Sequence, residues 1–60
     1  MQPGEIQKIY NDLLENKTVE ISEEISDYDI QVLLQLFTFR LKKEHPFLFL
    51  QNEGRIFRII

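Results

Sequence analysis

The sequence predicts an α+β domain of two layers, two helices packed on a three-stranded antiparallel sheet, in the order α-β-α-β-β. Three observations predict it. Apolar residues recur at helical spacing over residues 3–15 and again over 26–44. A short polar–apolar alternation, Thr18-Val19-Glu20-Ile21, separates the two. Residues 47–60 hold two apolar runs on either side of Asn52 and Gly54, which is a hairpin pattern. With no linker or repeat, residues 1–60 read as one domain.

Each element has its own justification. Pro3 suits the first turn of a helix, where its missing N–H costs nothing. Ile6, Ile9, Tyr10, Leu13 and Leu14 then follow the i, i+3, i+4, i+7, i+8 rule and give one apolar stripe. Asn16 is the expected left-handed stop. Thr18–Ile21 is short enough to be an edge strand. The second helix opens at Ser26, which with Asp29 fits a capping box, while Ile25 and Ile30 fit a hydrophobic staple. Asp27 and Asp29 at its start and Lys42 and Lys43 at its end complement the helix dipole. It must end before Pro46, because the residue ahead of a proline, here His45, avoids the helical region.

The second helix carries an unusual amount of apolar surface. Its polar residues Gln31, Gln35, Thr38 and Lys42 form a narrow stripe, and apolar residues fill roughly 220° of the remainder. An ordinary amphipathic helix shows a stripe only somewhat wider than about 100°. The helix is therefore expected to be covered on two sides, by its own chain and by a second copy or partner. The alternative is a tight monomer that wraps it completely. In the tail, Phe47–Leu50 is expected as a strand, Gln51–Gly54 as the turn and Arg55–Ile60 as the returning strand. Phe47-Leu48-Phe49-Leu50 is apolar on both faces, as in a central strand or one covered on both sides. The returning strand mixes Arg55, Phe57 and Ile59 on one face with Ile56, Arg58 and Ile60 on the other.

Composition narrows the function classes. A 60-residue chain buries about 60% of its unfolded surface and needs reinforcement. It has no Cys and one His, which removes disulfides, thiolate metal sites and His-rich metal sites. Carboxylate-only metal sites stay open but have no loop spacing to recommend them, so oligomerisation or partner binding is the expected reinforcement. No apolar run approaches the roughly 18 residues of a membrane span. The start, MQPGEIQKIY, has neither the basic region nor the apolar core of a signal peptide, so a cytoplasmic setting is expected and Asn16-Lys17-Thr18 is read as an accidental glycosylation pattern. Charge is uneven: residues 1–37 hold two Lys and eight Asp or Glu, a net −6, and residues 38–60 hold five Lys or Arg and two Glu, a net +3. The chain's −3 disfavours a simple DNA binder, and the asymmetry permits an acidic face to meet a basic one in a dimer or with a partner.

No constellation carries catalysis. His45 is the one group expected to titrate near neutrality, but it lacks a nearby Ser or Cys and reads as a residue favoured by the helix C-terminus. Glu20, Glu23, Glu24, Asp27 and Asp29 read as a solvated helix start. With no activated nucleophile, phosphate-cradling glycine loop or metal cluster, neither enzyme activity, nor a cofactor, nor a small-molecule substrate is expected. Arg40 stands within the apolar face near Leu33, Leu36 and Phe37, where it snorkels from the helix end, pairs with Glu44 one turn on, or reaches an acidic partner across an interface. Lys42, Lys43, His45, Arg55 and Arg58, with Phe47, Phe49 and Phe57 interleaved, make a candidate nucleic-acid surface if helix end and hairpin meet.

The element order resembles that of the small single-stranded nucleic-acid-binding domain named for its Arg-x-x-x-His signature, which also runs helix, short strand, helix, strands. Placed after Ser26-Asp27-Tyr28, that Arg and His would fall near Ile30 or Gln31 and near Leu34, where neither stands. Arg40 and His45 have one residue too many between them. The family's function is therefore not carried over. The leading expectation is a non-enzymatic regulator, inhibitor or adaptor that binds protein, as a homodimer, through Leu33, Leu36, Phe37, Phe39 and Arg40. The alternative is a nucleic-acid-binding regulator that uses the basic helix end and hairpin.

Overall fold

A computed structural model describes residues 1–60. The order is α1 (Pro3–Asn16), β1 (Thr18–Glu20), α2 (Asp27–Glu44), β2 (Leu50–Glu53) and β3 (Ile56–Ile59). The strands form one antiparallel sheet in the order β1-β3-β2. The expected α+β architecture is the one found.

The local chemistry of each element is visible. Pro3 opens α1, and the Gln2 carbonyl accepts the first N–H groups, from Glu5 and Ile6. The left-handed stop falls one residue later than Asn16: Lys17 adopts φ 65° and donates its N–H to the Leu13 carbonyl at 2.9 Å. The Lys17 carbonyl then accepts from Ile59 N–H at 2.8 Å, so the helix stop is also the first step of the sheet. Thr18 already pairs with Arg58 in β1, so the change from helix to strand is made at residue 17. Ser26 caps α2 by accepting from Asp29 N–H at 3.2 Å. Ile25 and Ile30 of the staple are both buried. His45 donates its N–H to the Leu41 carbonyl at 2.7 Å, and Pro46 follows.

The hairpin differs from expectation in register. Phe47 is in a turn, with Leu48 N–H donating to the His45 carbonyl at 3.0 Å, and the strand begins at Leu50. Gln51, Asn52 and Glu53 belong to β2, and Glu53 pairs directly with Ile56. The loop is thus Gly54-Arg55 alone. Gly54 takes φ 60° while Arg55 does not take a positive φ, the arrangement in which glycine leads a two-residue hairpin loop. Asn52 serves the turn from inside the strand: its Nδ2 donates to the carbonyls of Gly54 and Ile56 at 3.0 and 3.2 Å. β2 is an edge strand, and the central place expected for Phe47–Leu50 belongs to β3.

Both helices lie on one face of the sheet. Tyr10, Leu13, Ile21, Ile25, Ile30, Leu33, Phe37, Leu41 and Phe57 make the core. Phe37 stands between Tyr10 and Phe57, with ring centroids 5.3 and 5.9 Å away. The Cα radius of gyration is 10.5 Å, against about 10.4 Å expected of a compact domain of this length. Residues 1–60 are thus packed together as one compact unit.

Candidate functional site

Arg40 is held inside its own chain. Its guanidinium carbon lies 3.9 Å from the Tyr10 ring centroid, its Nε 3.5 Å from Glu44 Oε2, and its Nη1 donates to Gln7 Oε1 at 3.0 Å. Tyr10 O–H donates to Glu44 Oε1 at 3.1 Å. The group ties α1 to the last turns of α2. Burial raises the Tyr10 phenol above its ordinary pKa, the Glu44 hydrogen bond and negative charge raise it further, and Arg40 opposes them. Arg40 therefore has the local Glu44 partner and, across the two helices, an aromatic one that spacing did not reveal.

The other residues expected at an interface divide. Leu33 and Phe37 are wholly buried beneath α1 and the sheet and are core. They are corrected from interface to core because the buried stripe of α2 runs through Ile30, Leu33, Phe37 and Leu41. Leu36 is half-buried and Phe39 is 59% exposed. Tyr28, 76% exposed, and Val32, 41% exposed, share their side of the helix and were not among the expected residues. At 100° per residue, Tyr28, Val32, Gln35, Leu36, Phe39 and Lys43 fall within roughly 100° of arc, opposite the core. Tyr28, Val32, Gln35 and Phe39 are spaced four, three and four apart, the spacing of a helix–helix seam. That spacing was present in the sequence; what was absent was knowledge of which half of the apolar arc the sheet would cover.

The five basic residues are not gathered into one patch. Arg55 sits at the start of α2, donating to the Ser22 carbonyl at 2.7 Å and lying 3.4 Å from Asp27 Oδ1. Lys42, Lys43 and His45 are at the far end of the same helix, about 22 Å away at 1.5 Å per residue. Arg58 lies on the outer sheet face, 4.0 Å from Glu53, opposite Gln51 and Thr18. The surface expected for nucleic acid is corrected to three separate places. The hairpin turn meets the acidic end of α2, because β2 runs antiparallel to the direction that would carry Arg55 to the basic end.

A second apolar surface lies at the base of the hairpin. Phe49 and Ile60 exchange backbone hydrogen bonds of 3.5 and 2.9 Å, which puts their side chains opposite one another on the outer sheet face. Both are exposed, and neighbouring Phe47 is 90% exposed. Beside them Thr38, Leu41, Lys42, Pro46, Leu48 and Leu50 line a cleft of about 250 Å³ between α2 and the β2 edge. The 49–60 exchange fixes the ladder phase, so the backbone N–H and C=O of Leu50 and Asn52 point away from β3 along the open edge.

No group of three or more His, Cys, Asp or Glu is placed to hold a metal ion, and no helix is long and apolar enough to cross a membrane. No family model matches the chain, and neither a curated protein nor a solved structure matches it significantly.

Proposed function

We propose that the protein is a small non-enzymatic regulator or adaptor that acts by binding protein, and that it does so as a homodimer. The observation that carries this reading is where the large exposed apolar side chains stand. Scattered singly they are normal on any surface, but here Tyr28, Val32 and Phe39 share one helix face and Phe47, Phe49 and Ile60 share the hairpin base. Clusters of this kind on so small a chain are the mark of interaction surfaces. The α2 stripe serves a second copy, because a helix seam needs a facing helix. The hairpin base serves a target presenting an extended segment, because the β2 edge offers unpaired backbone groups beside an apolar cleft. The absence of cysteine suits a cytoplasmic setting.

The test is molar mass in solution by light scattering across a concentration series at low and high salt. The expected result is a rise from 7.3 kDa toward twice that value. Val32→Glu should hold the chain at the lower mass with unchanged circular dichroism. A wild-type mass of 7.3 kDa at every concentration would overturn the homodimer.

A further inference from the structure

We infer that two copies join along the outer stripe of α2 in an antiparallel, two-fold arrangement centred between Gln35 and Leu36. This rests on the homodimer reading above and adds its geometry. The stripe is complementary to itself when reversed. About a centre between residues 35 and 36, Val32 mirrors Phe39 and Tyr28 mirrors Lys43. A small aliphatic side chain thus meets a large aromatic one on the seam, twice. An aromatic ring meets a cation at each end. Lys43 is already drawn onto the stripe, with its Nζ 5.0 Å from the Phe39 ring centroid.

Charge fixes the direction. Beside the stripe, Asp29 stands in the first turn of α2 and Lys43 in the last, while Asp27 is held by Arg55 of its own chain. Parallel copies would set acid on acid and base on base, with both helix dipoles aligned. Antiparallel copies set the acidic start of each against the basic end of the other, and they oppose the dipoles. A two-fold of this kind also keeps each flank of the seam against the same flank of the second copy. On the flank towards α1, Leu36 therefore meets its own counterpart, and Asp29 stands beside the second copy's Lys43. On the other flank Gln35 meets its own counterpart, a single polar pair at the centre of an apolar seam. Such a pair fixes register at some cost in stability.

Cysteine pairing tests the geometry, since the chain has no cysteine of its own. Val32→Cys and Phe39→Cys sit at exposed positions, and circular dichroism checks that each variant folds. In the antiparallel dimer two copies of residue 32 are about 10 Å apart along the axis, as are two copies of residue 39. That exceeds the roughly 7 Å that a disulfide spans. With oxidised glutathione present, neither variant alone should form a covalent dimer, and their mixture should form the 32–39 heterodimer. Asp29→Lys and Lys43→Asp provide the second arm. Each alone should dimerise at least tenfold more weakly than the wild type, and their mixture should recover, because both cross-pairs are then opposite in sign. If the wild type dimerises but each cysteine variant links to itself, or the mixture forms no heterodimer, the antiparallel seam is wrong while the homodimer stands. If the wild type stays monomeric at every concentration, both fall.

Discussion

Phe37→Ala should remove much of the domain's stability, whereas Phe39→Ala should leave the monomer's stability nearly unchanged. The two rings are two residues apart on α2, yet Phe37 is 0% exposed between Tyr10 and Phe57, and Phe39 is 59% exposed. Removing a buried phenylalanine costs about 3–5 kcal/mol in lost transfer energy and cavity. The tilted and edge-on contacts with Tyr10 and Phe57 place this site at the upper end of that range. A domain of this length has a total stability of about 3–9 kcal/mol, so the loss is comparable with the whole. An exposed substitution away from special features changes stability by about 0.5 kcal/mol at most. The assay is urea unfolding followed by far-ultraviolet circular dichroism at several protein concentrations. Phe37→Ala should lower the midpoint equally at all of them. Phe39→Ala should lower it only where the wild type is dimeric, because a partner that binds only the folded state stabilises by mass action. Equal midpoints for the two variants in dilute solution, or a larger loss for Phe39→Ala there, would refute the assignment of core and seam.

Three further outcomes follow from the fold. Lys17→Gly should stabilise the chain by about 0.5–1 kcal/mol, since Lys17 holds φ 65° where a side chain is strained; thermal unfolding reads this as a higher Tm. Ser26→Ala should cost about 1 kcal/mol, because the first turn of α2 loses its cap, and urea unfolding measures it. The raised Tyr10 pKa favours the protonated phenol in the folded state. Its contribution is therefore fully present below the unfolded value of about 10 and is lost as pH rises through the folded value. Tyr10→Phe should remove this part of the alkaline fall in stability, as followed by unfolding at stepped pH.

The elements with local chemical signatures were legible in the sequence. Pro3, the Ser26 cap with its Ile25–Ile30 staple, and Pro46 each act on neighbours within a few residues, and they set the helix limits nearly as found. The hairpin register was not legible in the same way. Asn52 and Gly54 both favour turns, and only the pairing of Glu53 with Ile56 decides that Gly54 leads the loop while Asn52 stays in the strand. Lys17 was missed because nothing in a lysine favours φ 65°; the demand comes from the short step into β1. The candidate surface was half legible. The excess of apolar residues on α2 was plain, but which side the sheet covers depends on contacts such as Phe37 with Phe57, twenty residues on. Leu33 and Phe37 thus moved to the core, and Tyr28 and Val32 took their place outside. Arg40 was ambiguous for the same reason, since its Tyr10 and Gln7 partners lie on the other helix.

The most direct test of the central claim is a two-dimensional nuclear magnetic resonance spectrum of the wild-type protein recorded across a dilution series. The account predicts that the signals of Tyr28, Val32, Gln35, Leu36 and Phe39 move together with concentration while those of Phe49 and Ile60 stay in place. Signals that do not move at all, or movement confined to Phe47, Phe49 and Ile60, would contradict it.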